Sequence, residues 1–186
     1  IMFGHIERPR HWARHLLHLR SLQKRTGGIT EFVPLPFVHQ ESPLYLKGKA
    51  RKGPTFREAV LMHAVARLAL HPHITNIQTS WTKMGPGGVA ACLQAGVNDL
   101  GGTLMNESIS RAAGSSFGEE LPPEQMESII RGIGRAPRQR TTLYGDAPAA
   151  AIEASFNAVP LTPITSTEPK RNKSQNENQP LIRAGE

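Results

Sequence analysis

The stretch ITNIQTSWTKMGPGGVAACLQAGVNDLGGTL (residues 74–104) decides the predicted fold. Its first part, 74–81, is rich in β-branched residues and is predicted to be a buried strand. Glycines then open a short helix of small residues at 87–95, and a second strand is predicted at 97–104. A strand, a helix and a strand joined by such short connections indicate a right-handed crossover between parallel strands.

The same alternation extends toward the N-terminus. Residues 1–6 have the pattern of a strand end, and 29–37 (ITEFVPLPF) is predicted to be extended and buried. A helix is predicted at 9–25, where apolar residues recur at helical spacing. A second helix, from 56 to about 71, follows the polar loop 38–54. The pattern is therefore that of an α/β protein with a parallel sheet.

Two α/β architectures have this alternation, the doubly wound sheet and the (β/α) barrel. A complete barrel needs eight strands and about 250 residues. This chain has 186 residues and about half of that number of predicted strands. We therefore expect half of a barrel, with a small complete doubly wound domain as the alternative.

The C-terminal part changes character at about residue 146. A helix is predicted to begin at Pro122-Pro123-Glu124 and to carry an apolar stripe as far as Ile133, and 139–145 is predicted to be extended. Beyond it the chain is rich in Ala, Pro, Ser, Thr and Asn, with too little apolar content to fold. We predict a folded domain at 1–145 and a disordered tail at 146–186.

Composition excludes some classes of protein. The net charge of +7 is compatible with nucleic acid or with acidic substrates. A single cysteine, Cys92, excludes an internal disulfide and a site made of cysteines alone, and it favours a reducing cytoplasm. No apolar run approaches the roughly 20 residues of a membrane span, so no membrane association is expected.

Polar side chains are concentrated where each predicted strand ends, whereas the strand interiors are apolar. In folds of this kind the site lies at the carboxyl ends of the strands. The candidates are Gly4, His5 and Glu7 after the first strand, Gln78, Ser80, Trp81 and Lys83 after the third, and Thr103, Asn106 and Glu107 after the fourth.

Several of these residues also have a purely structural interpretation. His5 could be an acid, a base or a structural residue, and Glu7 could stabilise the start of the first helix. Trp81 could be a core aromatic residue or could stack on a flat ligand. Lys83 could be a solvated loop charge or the partner of a carboxylate. The sequence alone leaves these alternatives open.

Five segments, taken in order, carry a resemblance to a known family: MFGHIE, EFVPLPFVHQESPLYLKG, NIQTSWTKMGPGG, NDLGGTLMNESISRAAGS and RAPRQRTTLYG. Over residues 1–147 the chain resembles the C-terminal half of the tyrosine-using (4-hydroxybenzyl transferase) radical SAM module of the FO synthase family. FO is 7,8-didemethyl-8-hydroxy-5-deazariboflavin, the chromophore of the deazaflavin coenzyme. The resemblance implies an α/β fold that is the C-terminal half of a radical SAM barrel of the TIM type.

The resemblance also implies cofactors. The intact enzymes of this family use S-adenosyl-L-methionine and a 4Fe-4S cluster held by a CxxxCxxC loop. That loop is absent from this chain, and one cysteine cannot replace it. We expect that Ile1 lies inside a barrel strand, that the N-terminal half of the barrel is missing, and that no metal ligand lies in this chain.

The implied activity is a radical transfer. The 4-hydroxybenzyl part of L-tyrosine would be joined to 5-amino-6-(D-ribitylamino)uracil, and a second radical SAM module, fused or separate, would close the deazaflavin ring. By this resemblance Gly4, His5 and Glu7 are assigned to S-adenosylmethionine. The residues assigned to the two substrates are Gln78, Ser80, Trp81, Lys83, Thr103, Asn106 and Glu107.

Two other functions are kept as alternatives. Related radical SAM enzymes of the futalosine route to menaquinone have similar segments. A basic nucleic-acid-binding domain, using the helix between Arg8 and Arg25, is a third possibility and would bind in a salt-dependent way.

Overall fold

The computed structural model describes residues 1–104 and 106–159, and its extended segments run parallel to one another. Strand β1 (Met2–Phe3) pairs with β2 (Leu35–Pro36), with Met2 opposite Leu35. Single parallel bridges join Phe32 to Ile77 and Gln78 to Asp99. The four predicted strand segments therefore lie side by side in chain order, which confirms the predicted parallel arrangement.

The paired segments are shorter than predicted. One physical reason lies in the second segment, 29–37, where Pro34 and Pro36 have no backbone N–H to donate to a neighbouring strand. The N–H groups of Leu35 and Phe37 still donate to the carbonyl groups of Ile1 and Phe3, at 2.7 and 2.9 Å. Pairing is thus limited to a few residues in each segment.

Helices make up most of the described structure. Their bounds are α1 Pro9–Thr26, α2 Pro43–Leu46, α3 Phe56–Leu70, α4 Trp81–Gln94, α5 Ile109–Ala112, α6 Pro123–Gly132 and α7 Ala149–Phe156. Helix α1 ends at Gly27, whose left-handed φ of 65° suits a glycine. Thr55 caps α3 by accepting a hydrogen bond from the backbone N–H of Glu58, while the Glu58 carboxylate accepts one from the N–H of Thr55.

Helix α4 begins earlier than the sequence predicted. It starts at Trp81 rather than at 87, and it is interrupted at Gly85, where φ is 64° and ψ is 172°. Pro86 follows, and its missing N–H and fixed φ suit the first turn after the break. The predicted helix at 87–95 is thus the second part of α4, and a first turn at 81–84 replaces the last residue of the predicted strand.

The core lies between the strand segments and α1, α3 and α4. Phe3, Trp12 and Leu16 are buried together, and the Phe3 and Trp12 rings meet edge to face at 5.3 Å. Helix α3 packs against both α1 and α4. This layer of helices covers one face of the parallel segments, as expected for part of an α/β domain.

The C-terminal region departs from the prediction in two places. Segment 139–145 is not extended throughout, because Arg140 and Asp146 form an antiparallel bridge and Tyr144 has a left-handed φ of 64°. The predicted disordered tail at 146–186 includes α7, whose four alanines favour a helix. A structured segment thus extends past the predicted boundary at 145, while 160–186 lies outside the described residues.

The described residues form part of an α/β domain, and a closed barrel is not seen among them. Within 1–104 and 106–159 there is no helix with the length and apolar character needed to cross a membrane.

Candidate functional site

Glu7 closes the loop that follows β1. Its carboxylate accepts hydrogen bonds from the backbone N–H groups of Gly4, His5 and Ile6 and from the indole N–H of Trp12, the last at 2.6 Å. Burial raises the pKa of Glu7, but these donors outweigh it and lower the pKa to about 2. Glu7 is therefore a charged carboxylate that fixes the backbone of residues 4–6.

His5 stands beside this carboxylate. Its Nδ1 lies 3.0 Å from Glu7 Oε2, and its ring lies 5.4 Å from the ring of Phe37, just after the second strand segment. The backbone carbonyl of His5 accepts a hydrogen bond from the N–H of Arg51 at 2.9 Å. The predicted residues Gly4, His5 and Glu7 are thus brought together in one loop.

Lys83 lies in a second cluster of predicted residues. Its Nζ donates a hydrogen bond to Ser110 Oγ at 2.5 Å, and the Glu107 carboxylate accepts the backbone N–H of Ser110 at 3.0 Å. Ser80 Oγ lies 3.0 Å from Thr82 Oγ1, which is itself 3.4 Å from Ser110 Oγ. Burial lowers the pKa of Lys83, and the charge of Glu107 opposes that shift. The cluster links the end of the third strand segment to the loop after the fourth.

Trp81 is placed in the core rather than at the surface. Only 4% of it is exposed, and its indole N–H donates to the carbonyl of Gly102 at 2.9 Å. Both faces of its ring are enclosed, which agrees with the structural interpretation given above. Its contact with Gly102 ties the start of α4 to the turn after the fourth strand segment.

Gln78 and Gly101 approach each other closely at that turn. Gly101 has a φ of 75°, and a Cβ atom there would lie 2.7 Å from Gln78 Nε2. Thr103 follows, and its carbonyl accepts the N–H of Leu121 at 3.0 Å. Asn106 is exposed, with a left-handed φ of 57°. Gln78 thus lies against Gly101, two residues before Thr103, whereas Asn106 makes no contact with the Lys83 cluster that the structure describes.

A small pocket lies between the strand ends. Its volume is about 320 Å³, near the lower limit for ligand pockets in proteins. Residues from the second segment, the start of α3, the start of α4 and the loop after α5 line it; they include Phe37, His39, Gln40, Phe56, Lys83, Ser115 and Phe117. Since His5 contacts Phe37, the pocket adjoins the Glu7 loop as well. Of the candidate residues predicted from the sequence, Lys83 is part of the lining of this pocket.

A larger pocket of about 760 Å³ lies between the fourth strand segment, α6 and residues 135–144. Thr103 and Gly102 are part of its lining, together with Asp99, Arg140 and Tyr144. Apolar residues of α6 and α7 form the opposite side, including Met126, Ile130 and Phe156.

Four residues of this region were not singled out from the sequence. Tyr144 Oη lies 2.5 Å from both Asp99 Oδ2 and Glu31 Oε2, and the Arg140 guanidinium lies 2.5 Å from Asp99 Oδ2. The Arg140 guanidinium also lies 4.0 Å above the Tyr144 ring. Burial, with the two carboxylates, raises the pKa of Tyr144, so its phenol stays protonated. The sequence did contain one signal for this network: the acidic residues Glu31 and Asp99 lie inside the predicted strands 29–37 and 97–104.

An iron–sulfur cluster does not fit the residues of this chain. The one thiol, Cys92, is buried behind the strand segments, 3.6 Å from His63 Nδ1, and burial raises its pKa. In the described ranges, no three His, Cys, Asp or Glu side chains converge as metal ligands. A 4Fe-4S cluster needs several thiolates, so no chemical step is assigned to a cluster in this chain.

The Glu7 loop also offers little to S-adenosylmethionine as it stands. The N–H groups of residues 4–6 are already bound to Glu7. A Cβ at Gly4 would lie 2.2 Å from Pro54 Cδ, so protein atoms, not open space, occupy the place beside this glycine. No chemical step is therefore assigned to S-adenosylmethionine at these residues.

Comparison with known proteins gives consistent matches. A family model described as the CofH/MqnC C-terminal region matches residues 26–151. An FO synthase of Mycobacterium leprae is 58% identical over 144 residues, which are 77% of this chain and 17% of that protein. An FO synthase of Streptomyces coelicolor is 54% identical over 168 residues, 88% of this chain and 19% of that protein.

A shorter relative also matches. The 5-amino-6-(D-ribitylamino)uracil–L-tyrosine 4-hydroxyphenyl transferase of Methanopyrus kandleri is 55% identical over 144 residues, which are 77% of this chain and 39% of that protein. The chain thus spans between about a sixth and two fifths of the length of these relatives. The matched family region covers more than half of the chain, and the chain belongs to the family defined by the CofH/MqnC C-terminal region.

Proposed function

We propose that this chain is part of a radical SAM transferase of deazaflavin coenzyme biosynthesis. The enzyme would join the 4-hydroxybenzyl part of L-tyrosine to 5-amino-6-(D-ribitylamino)uracil. The observation that carries the proposal is the 55% identity to a transferase whose name states both substrates, together with the two FO synthases. The parallel strand segments and the pocket at their ends support a role in the substrate-binding half of a barrel.

In this proposal the chain supplies binding and orientation. Lys83 lines the small pocket and is linked through Ser110 to Glu107, while Thr103 lines the larger pocket. Ser80 and Gln78 remain candidates for the two substrates. Trp81 acts from the core by holding Gly102, and Asn106 remains a candidate for the acceptor substrate. Of the candidate residues in the first loop, His5 is held beside Glu7 and lies against Phe37 at the end of the second strand segment.

The cofactors of the intact enzyme, S-adenosylmethionine and a 4Fe-4S cluster, come from the family resemblance. The cluster ligands would have to come from an N-terminal half of the barrel that is not in this sequence. A second radical SAM module would complete FO formation, and the location would be cytoplasmic. Gly4, His5 and Glu7 are proposed to lie near S-adenosylmethionine in the assembled barrel.

The alternatives are less well supported. The names of the three relatives given above all belong to FO formation rather than to menaquinone synthesis. None of the three relatives given above is a nucleic-acid-binding protein by its name.

A chimeric enzyme tests the proposal. The matching 144-residue region of the Methanopyrus kandleri transferase would be replaced by the corresponding residues of this chain. We expect the reconstituted chimera to join tyrosine to the aminouracil, detected as the adduct by mass spectrometry. The parent transferase and a reaction without tyrosine are the controls.

The cluster and the cofactor are monitored separately. Iron–sulfur absorbance and release of 5′-deoxyadenosine report whether the rest of the barrel works. A folded chimera that cleaves S-adenosylmethionine but forms no adduct, beside an active parent, would contradict the proposal.

A further inference from the structure

We propose that the small pocket binds an aromatic α-amino acid, with its carboxylate on Lys83 and its ring against Phe56 and Phe117. This inference rests on the proposed function for the choice of L-tyrosine as the ligand. It goes further by assigning that substrate to one of the two pockets and by naming the groups that recognise it.

The charge in the pocket indicates an anionic group. Lys83 is half-buried, and an ammonium has three N–H donors. The hydrogen bond that the structure describes for Nζ, to Ser110 Oγ, uses one of them. A partly desolvated ammonium is best matched by an anion, because charge-assisted hydrogen bonds are stronger than neutral ones. Of the two proposed substrates, tyrosine is the one that carries a carboxylate.

The position of Lys83 is fixed before any ligand arrives. Ser110 Oγ accepts from Nζ, and the N–H of Ser110 is held by Glu107. Ser110 itself is buried, so this anchor is not a loose surface contact. Glu107 also lies close enough to influence the charge of Lys83. A prearranged ammonium loses little side-chain freedom on binding.

The walls of the pocket indicate an aromatic ring. Phe37, Phe56 and Phe117 all line it, and two of them are unusually exposed, Phe56 by 60% and Phe117 by 45%. Aromatic rings gain from edge-to-face or offset contacts with another ring. Phe117 is also held in place, since its ring packs over Gly85, where a Cβ would lie 2.5 Å from Phe117 Cε1.

The size of the pocket agrees with one small ligand. A volume of about 320 Å³ admits an amino acid, whereas the pocket of about 760 Å³ next to Thr103 is more than twice as large. The larger pocket also presents hydroxyl and amide side chains, including Thr103, Gln139, Thr142 and Ser155, which suit a polyhydroxyl chain. The small aromatic pocket therefore suits tyrosine, and the larger pocket, with its hydroxyl and amide side chains, suits the ribitylaminouracil.

Calorimetric binding to the full 186-residue chain tests this assignment. L-Tyrosine is compared with tyramine, which has the same ring and amine but no carboxylate. We expect tyrosine to bind about ten- to a hundredfold more tightly, as one charge-assisted contact implies. Tyramine binding equal to that of tyrosine, or no tyrosine binding by the folded chain, would overturn the inference.

Variants of the pocket give the second readout. Lys83→Met should abolish the difference between tyrosine and tyramine, whereas Lys49→Met, at an exposed lysine outside the pocket, should preserve it. Phe117→Ala should weaken both ligands several-fold, because the lost ring contact is common to both. A Lys83→Met chain that is folded by circular dichroism and still prefers tyrosine contradicts the assignment.

The chimeric transferase separates this inference from the proposed function. If the chimera is active and Lys83→Met leaves its KM for tyrosine unchanged, the pocket assignment is wrong while the function stands. If the folded chimera cleaves S-adenosylmethionine but forms no adduct, while the chain binds tyrosine through Lys83, the pocket assignment stands and the function fails.

Discussion

Tyr144 Oη lies 2.5 Å from Asp99 Oδ2, although 45 residues separate them in the sequence. The same hydroxyl reaches Glu31, and Arg140 lies against both carboxylates and over the Tyr144 ring. Asp99 also accepts the N–H of Gly101 at 2.7 Å. This network fastens residues 140–144 across two strand segments and forms one wall of the larger pocket.

Replacing Tyr144 by phenylalanine should detach this segment. The change removes one hydrogen bond to a buried carboxylate, and we expect the free energy of unfolding in urea to fall by about 2 kcal/mol. Trypsin should also cleave faster after Arg138 and Arg140, because the segment that holds them is released. Tyr45→Phe removes a hydroxyl elsewhere and should change neither quantity. Equal stability and equal cleavage in the two variants would show that the network does not hold the segment.

The network also shows what the sequence could and could not predict. The strand patterns at 29–37, 74–81 and 97–104, together with the helices predicted between them, were sufficient to predict parallel segments, because strand–helix–strand units form parallel crossovers. The Glu31–Tyr144 contact was not predictable, since it joins residues 113 positions apart through a turn with an unusual φ at Tyr144. Local pattern contains no information about such a pairing.

The site residues also divide into those that local sequence placed correctly and those that only tertiary contacts decide. The sequence placed Lys83, Ser80 and Glu107 at strand ends, and the structure brings them together. It left open whether Trp81 lies at the pocket mouth or in the core, and an isolated aromatic residue next to a polar segment fits either place. The start of α4 buries the ring, and only the tertiary contact with Gly102 decides between them.

Glu7 should make stability depend on acid pH. Its pKa is about 2 in the folded chain and near the ordinary glutamate value when unfolded. The unfolded state therefore binds more protons between about pH 4.5 and 2. The contribution of Glu7 to the free energy of unfolding is thus fully present above this range and is lost as the pH falls through it. After allowance for solvent screening we expect a loss of about 1–2 kcal/mol.

Glu7→Gln isolates this contribution. The variant should be less stable than the parent chain at neutral pH and should approach it in acid, as followed by urea unfolding at several pH values. Glu153→Gln, at an exposed position in α7, is the matched control and should follow the parent curve. A constant difference between Glu7→Gln and the parent at all pH values would contradict the assignment.

His63 should produce a second, milder pH dependence. The residue is fully buried, its Nδ1 lies 2.7 Å from the carbonyl of Ala59, and its Nε2 has no hydrogen-bond partner in the described part of the chain. Burial lowers the pKa of His63, and the Ala59 carbonyl only partly opposes this. The unfolded state then binds more protons below about pH 6.5, so stability decreases as the pH falls from there.

The slope from one such group is at most about 1.36 kcal/mol per pH unit. His63→Leu should remove that slope from the unfolding free energy measured between about pH 7 and pH 5. His18→Gln, which changes an exposed histidine of α1, should leave it intact. If both variants keep the parent slope, His63 is not the group that titrates.

Gly4, the glycine of the first loop, should not tolerate a larger residue. Its φ is 91°, and a Cβ would lie 2.2 Å from Pro54 Cδ and 2.5 Å from the Pro54 nitrogen, so alanine is excluded by both conformation and space. We expect Gly4→Ala to lower the free energy of unfolding by about 2–3 kcal/mol, because the backbone must move and with it the N–H that binds Glu7. Gly28→Ala is the matched control: nothing lies within 4 Å of its Cβ position, and its expected change is within about 0.5 kcal/mol.

The displaced loop should also weaken the acid dependence that Glu7 confers, so urea unfolding near pH 7 and near pH 3 measures both effects. A Gly4→Ala chain as stable as Gly28→Ala would mean that the first loop adjusts freely, and the proposed fixed position of His5 beside the small pocket would then be lost.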